Sequence, residues 1–241
     1  MGADVLELDI ERVMRESPSC LITFGDFRAA RIRNWAKQKG RNFLCAQVGP
    51  YIHYADPFYL EKKTQEIKKK LGKMLLVFPM HGWEHRSSKY DIDEFIDEIK
   101  KVASSYESVC ISIYWHDFLE GKHERYQMEG WTIVSVGHRS DPYFLERLRS
   151  LIELSDMTIS NTVGTHVGYC ISLGKPHYIF GGSNERDGSR GGSDSQLQSR
   201  LDEISGTFGV FRSDVSAKQR ALVELYWGRS GEVKFFESCS D

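Results

Sequence analysis

The chain lacks several features that would place it at once. No apolar run reaches the length of about 20 residues that a membrane-spanning helix needs. The first residues, MGADVLELDIERVMRES, are acidic and contain no apolar core of a signal peptide. A cytoplasmic protein without a transmembrane segment is expected. Charge of neither sign dominates: 32 Lys and Arg stand against 34 Asp and Glu, for a net charge of −2. That balance gives no general attraction to nucleic acid or to an anionic membrane surface. The five cysteines show no CxxC or zinc-ligand spacing, which argues against a disulfide framework or a structural zinc site. Cys45, Cys110 and Cys170 lie inside apolar runs and read as small buried hydrophobes of a reducing compartment. No GxGxxG opens a helix, and neither GxxxxGKS nor GxxxxGKT occurs, so dinucleotide and P-loop signatures are missing. HGWEH (81–85) is not the metalloprotease HExxH, because its glutamate stands beside the second histidine and the run follows a strand. No metal is expected.

What the chain does have is regular alternation. It holds 241 residues, 40% of them hydrophobic, enough core for one large or two small domains. Residues 1–18 read as an amphipathic lead-in carrying Val5, Leu6, Leu8, Ile10, Val13 and Met14. Strand 20–25, helix 27–39 and strand 42–50 make one βαβ unit, followed by an aromatic loop, YIHYADP. A helix over 58–71 has a basic, solvated face. Beyond Gly72 strands are expected at 74–79, 108–115, 132–136, 157–160 and 177–180, with helices between them. The helix from Asp91 places Ile92, Phe95, Ile96, Ile99 and Val102 at helical spacing. The strand runs LLVF, VCISI, TIVSV and YIF are apolar and β-branched, as strands buried on both faces are. The expected fold is α/β: a Rossmann-like parallel sheet with helices on both faces. The boundary is set at 57, with a βαβ segment over 1–57 and the larger domain over 58–241. GGSNERDGSRGGSDS (181–195) contains no apolar residue and reads as a mobile loop. One or two helices (about 196–204 and 216–227) and a polar tail close the chain.

The strand exits carry the chemistry. His81, Glu84 and His85 follow 74–79; His116 and Asp117 follow 108–115; His138, Arg139 and Asp141 follow 132–136. Asn161, Gly164, Thr165 and His166 follow 157–160. In an open parallel sheet these exits share one edge, where ligands bind. Five of the eight histidines (His81, His85, His116, His138, His166) stand there. SDMTISNTVGTHVGYCISLGKPHYIF (155–180) reads as strand, turn, helix and strand, with Ser160, Asn161 and Thr162 placed to cap the helix. Free amides and the helix dipole at Gly164 and Thr165 favour an anion, and glycine clears its approach. An ordinary βαβ unit whose glycine serves packing fits the same residues. His166 can donate to a phosphoryl oxygen and Arg139 can pair with it. Glu84, Asp117 and Asp141 are candidates for sugar hydroxyls, and His81 or His85 for acid/base work.

The run SNTVGTH opening a helix, followed by LGKPHYIF, resembles the donor-binding C-terminal domain of GT-B glycosyltransferases of the bacterial surface-polysaccharide type. GHRSDPYFLERLRSLIELSDMTISN is similar to the stretch in that group where a histidine contacts the nucleotide, here His138. ITFGDFRAARIRNWAKQKGRNFLCAQVGP resembles the last βαβ of the first GT-B domain. The resemblance covers about residues 20–180. It implies a nucleotide sugar as donor substrate, an acceptor saccharide, and no further cofactor. Ser160, Asn161, Gly164, Thr165 and His166 would hold the donor phosphates. A full GT-B enzyme exceeds about 300 residues by ordinary domain sizes. The short N-terminal part therefore leaves three readings open: a transferase completed by a homo-oligomer or partner chain, a non-catalytic nucleotide or sugar-phosphate binding module, and a sugar-nucleotide epimerase or hydrolase.

Overall fold

The computed structural model describes residues 10, 15, 19–42, 44–82, 90–182, 195–229, 231 and 233–237. The lead-in apart from Ile10 and Arg15, and loop positions 183–194, lie outside the described residues. Two sheets are formed. The smaller contains β1 (Cys20–Thr23) and β2 (Leu44–Gln47), which are parallel and joined by α1 (Asp26–Lys39). Its third strand is β8 (Lys234–Glu237), antiparallel to β2 with Ala46 opposite Phe235. Part of the expected polar tail is therefore a strand. Ile10, Ile32, Ala36 and Cys45 form the core between α1 and this sheet.

The larger sheet contains β3 (Met74–Phe78), β4 (Ser108–Ser112), β5 (Thr132–Val134), β6 (Met157–Ser160) and β7 (His177–Ile179). All four of its pairings are parallel, in the order β5-β4-β3-β6-β7. This is the Rossmann-like α/β architecture. The helices are α2 (Glu61–Leu71), α3 (Ile92–Ala103), α4 (Trp115–Leu119), α5 (Lys122–Gln127), α6 (Phe144–Leu154) and α7 (Thr165–Ser172). After β7 come α8 (Ser195–Phe208) and α9 (Ala217–Trp227). The single helix expected near 118–128 is two, interrupted at Glu120–Gly121. The expected strand 108–115 stops early because Trp115 already begins α4.

Strand β3 sits at the centre and is buried at all five positions. Period-2 alternation sends Leu75 and Val77 to one face, where Phe95, Ile96 and Ile99 of α3 cover them. Met74, Leu76 and Phe78 point to the other face, against Ile152 of α6, Val167 and Cys170 of α7, and Trp227 of α9. Phe24, beyond β1, belongs to this same cluster, and Phe27 of α1 meets Tyr226 of α9 edge to face. The small sheet is thereby fastened to the large one through α9. The basic face of α2 is solvated as expected, with no buried residue.

The contact between α7 and α9 depends on Gly168. A Cβ there would stand 2.2 Å from Cγ of Trp227, whose side chain is fully buried. Gly168→Val should destabilise the protein by at least about 2 kcal/mol, as overpacking does, with Tm falling by roughly 4–8 °C for a chain of this size. Gly206 is exposed, lies within α8 and has nothing within 4 Å of its Cβ position. Gly206→Ala is the control and should stabilise by up to about 1 kcal/mol. Thermal and urea unfolding measure both; equal effects at the two sites would contradict the packing account.

Candidate functional site

The strand order reverses at β3. The chain steps from β3 to β4 to β5, then α6 carries it back to β6 on the other side of β3. Connections leave β3 and β6 in opposite directions, and in open parallel sheets ligands bind in the crevice beyond the carboxyl ends at such a point. The β3 exit into that crevice is Pro79, Met80, His81 and Gly82. Met80 N–H donates to Oδ1 of Asn161, at the end of β6, at 2.7 Å. Gly82 N–H donates to both carboxylate oxygens of Asp117, in α4, at 3.2 Å each. Asn161 and Asp117 are buried, 2% and 4% exposed. Lys122 completes the arrangement with Nζ 2.6 Å from Oδ1 of Asp117 and 3.0 Å from Oε2 of Glu120.

Between these two anchored amides stands His81. Its Nδ1 is 3.0 Å from the carbonyl oxygen of Gly82. A carbonyl can only accept, so Nδ1 carries the proton and Nε2 holds the lone pair of the neutral ring. Burial lowers the pKa of His81, against opposing pulls from the Gly82 carbonyl and Asp117.

At the β6 exit, Gly164 is the N-cap of α7, in extended backbone with φ −149° and ψ 177°. No side chain caps this helix, which corrects the expected capping by Ser160, Asn161 and Thr162. The Asn161 carboxamide oxygen serves Met80 instead, and the Ser160 hydroxyl donates to Thr162 O at 2.9 Å. Thr165 is the first helical residue and is half-buried. The imidazole of His166 folds back over Gly164, where an added Cβ would come within 2.6 Å of Cε1 and 2.7 Å of Nδ1. In the structure, this ring fills the space that glycine was expected to clear for an anion. The ring stacks on Phe78 at 4.9 Å and meets His177 edge to face at 5.5 Å. Its Nε2 is buried without a hydrogen-bond partner among the described residues. Burial, and then the nearby His81, depress the pKa of His166 to about 3.

His177 lies beneath this turn, 1% exposed. Its Nδ1 meets the Thr158 hydroxyl at 2.7 Å and its Nε2 meets the Ser160 hydroxyl at 3.0 Å. Pro176 O already accepts from the Thr158 amide at 3.0 Å. The Thr158 hydroxyl also reaches Pro176 O at 2.8 Å and the Ser160 hydroxyl donates to Thr162 O at 2.9 Å, so each hydroxyl has one proton shared between a carbonyl and the His177 ring, and a neutral His177 donates from one ring nitrogen and accepts at the other.

The other two exits lie further along the same rim. Ring contacts run from His81 to Tyr114 (4.8 Å), Tyr114 to Trp115 (5.8 Å) and Trp115 to His138 (5.5 Å). The rim thus gathers His81, His138 and His166. Arg139 is exposed on the β5 loop, beside His138. The β5 exit is three strand spacings from β6, about 14 Å, so a ligand touching both Arg139 and His166 must extend across the crevice. Asp141 is held by Arg147 Nη2 at 2.7 Å and accepts from Tyr143 N–H at 2.8 Å. Its carboxyl is kept below the ordinary range chiefly by Arg147. Arg147 also donates to Val136 O at 3.0 Å and so fixes the loop on which His138 and Arg139 stand. Glu84 and His85 lie outside the described residues.

Four contributors escaped sequence reasoning: Lys122, Arg147, Tyr114 and His177. Lys122 follows Asp117 across a helix break, and Arg147 sits in mid-helix; neither spacing announces a partner. His116, Asp117 and Glu120 bring ligand atoms within 4.8 Å of one another, as a metal site would. The single ammonium of Lys122 already sits between both of those carboxylates, at 2.6 Å and 3.0 Å. No protein-family model and no curated protein matches this chain. The fold is that of a Rossmann-like α/β protein, with His81 and His166 standing at the point where its strand order reverses.

The two buried histidines make stability depend on pH. Both His166 and His177 have folded-state values far below the unfolded value of about 6.5. Below pH 6.5 the unfolded chain binds protons that the folded chain excludes, so this contribution is present above pH 6.5 and lost on acidification. Each histidine should remove up to about 1.4 kcal/mol per pH unit well below 6.5. Urea unfolding at pH 7, 6 and 5 should show that slope, and His166→Gln should reduce it by up to about 1.4 kcal/mol per pH unit. An identical slope in the variant would contradict the burial argument.

Proposed function

We propose that this protein binds a nucleotide sugar across the carboxyl rim of the large sheet and transfers the sugar to an acceptor saccharide, as a GT-B-like glycosyltransferase of surface-polysaccharide synthesis. The observation that carries the reading is the convergence of His81 and the Gly164–His166 helix start at the β3/β6 crevice, linked by the Met80–Asn161 hydrogen bond. The donor phosphates would lie at the start of α7, against the dipole and His166, with the nucleotide extending toward Tyr114, His138 and Arg139. The acceptor hydroxyl would give its proton to Nε2 of His81 as its oxygen bonds to the anomeric carbon. The sugar–phosphate bond breaks, and the departing phosphate takes its electron pair into the field of the helix N-terminus. The lowered pKa of His81 keeps this base unprotonated to below pH 6.5.

A second reading, a non-catalytic nucleotide or sugar-phosphate binding module, is favoured by the engagement of Asp117 and Asn161 with loop amides, which takes two of the polar groups at the strand exits away from chemistry on a substrate.

Thermal shifts with UDP, CMP, CDP, GDP and dTDP sugars should identify one donor class, since a ligand of the folded state raises Tm by mass action. Gly164→Ala must displace the His166 ring and should weaken that donor at least about tenfold in variant protein shown by circular dichroism to be folded. With the donor known, His81→Gln should keep its affinity within about threefold and reduce turnover by roughly 10²–10⁴. The wild-type rate should fall on acidification with a midpoint below 6.5. Donor consumed without acceptor would favour hydrolysis, donor bound but never consumed would favour the binding module, and no shift with any sugar nucleotide would sink both.

A further inference from the structure

The exit of β3 is held from both sides, and the two residues that hold it were the sequence's candidates for ligand contact. We propose that Asn161 and Asp117 are positioning residues: they clamp the backbone of Met80 and Gly82 so that His81 is presented to the crevice as its Nδ1–H tautomer. The role given to His81 rests on the glycosyl-transfer reading; the clamp itself does not.

Three observations carry it. Asn161 ends the strand on one side of β3, and Asp117 stands just beyond the strand on the other side. Their oxygens take the two amides that flank His81, Met80 N–H at 2.7 Å and Gly82 N–H at 3.2 Å to each carboxylate oxygen. The carbonyl of the clamped Gly82 then accepts from Nδ1 of His81 at 3.0 Å, which leaves Nε2 as the basic atom. Both clamp residues are almost fully buried, and Lys122 neutralises Asp117 at 2.6 Å. A carboxylate that takes one amide on both oxygens, plus an ammonium, has its hydrogen-bonding capacity directed inward rather than to a sugar. Likewise, amides already engaged at Met80 and Gly82 cannot cradle a phosphate. The clamp thus assigns anion binding to the β6 turn and proton transfer to the β3 loop.

Nitrogen-15 NMR of the ligand-free protein tests this. Wild-type His81 should carry its proton on Nδ1, and the amides of Met80 and Gly82 should exchange with solvent at least about a hundredfold more slowly than in an unstructured chain. Asp117→Ala and Asn161→Ala should each move the His81 tautomer ratio toward Nε2–H by at least about threefold. Asp117→Asn and Asn161→Asp keep an acceptor oxygen and should restore the wild-type ratio. A wild-type ring protonated on Nε2, unprotected amides, or folded alanine variants with an unchanged ratio would overturn the proposal. Should the alanine variants fail to fold, the wild-type tautomer and amide exchange decide alone. None of these readouts uses a nucleotide, so the clamp can stand if no sugar nucleotide binds, and donor binding can stand if the clamp fails.

Discussion

Strand β3 is buried on both faces along its whole length, and nearly everything about the crevice follows from that. A strand so placed must have a neighbour on each edge to satisfy its amides and carbonyls. It takes β4 on one side and β6 on the other, both parallel. Because β4 and β6 lie on opposite sides, their connections depart in opposite directions and cannot close over the end of β3. The gap must be lined by polar groups that satisfy the loop amides, and it is: Asn161 reaches in from one neighbour and Asp117 from the other.

Much of this was legible in the sequence through periodicity. The βα alternation and the apolar, β-branched runs identify a parallel sheet, and the strand ends locate His81, His138 and His166 on one rim before any pairing is known. Strand order was not legible. Nothing in MTIS says that it pairs with MLLVF rather than with TIV, because parallel strands buried on both faces offer little to distinguish neighbours. The role of Gly164 was misjudged for a related reason. Its spacing from the strand suggested room for a phosphate, yet the space is filled by the side chain two residues on. Whether a ring at i+2 folds over a glycine or away from it is decided by Phe78, more than 80 residues earlier, against which His166 stacks. The strand β8 was hidden by its length of four residues and its place in a polar stretch.

The polar residues at the strand exits divide by burial. Asp117, Asn161, Ser160 and His177 are nearly inaccessible, and each is engaged with backbone or with a neighbouring side chain. An unsatisfied buried polar group costs about 1–3 kcal/mol, so residues of this kind are recruited first by the loops around them. Arg139 is exposed, and His81, His138 and Thr165 are only partly covered. Sequence position alone cannot separate the two sets, since Asn161 and Thr165 both lie in the short run between β6 and the body of α7. Sorting by access separates Asn161, Ser160 and Asp117, whose polar atoms are spent on the protein itself, from the partly covered groups beside them.

The buried set also determines how the crevice can treat an anion. Burial strips His166 of its proton near neutral pH, so under the proposed reading the turn would offer a phosphate amides, a dipole and a neutral N–H rather than a formal charge. Such a site would bind an anion less tightly than a cluster of lysines, but its donors are already oriented and would need no reorganisation as negative charge grew beside them. A phosphate brought beside His166 would favour the imidazolium, opposing the burial that now disfavours it. The ring and the anion are therefore coupled: the same desolvation that keeps His166 neutral in the free protein makes it sensitive to whatever charge enters the crevice, and Gly164 is what allows the ring to stand close enough to respond.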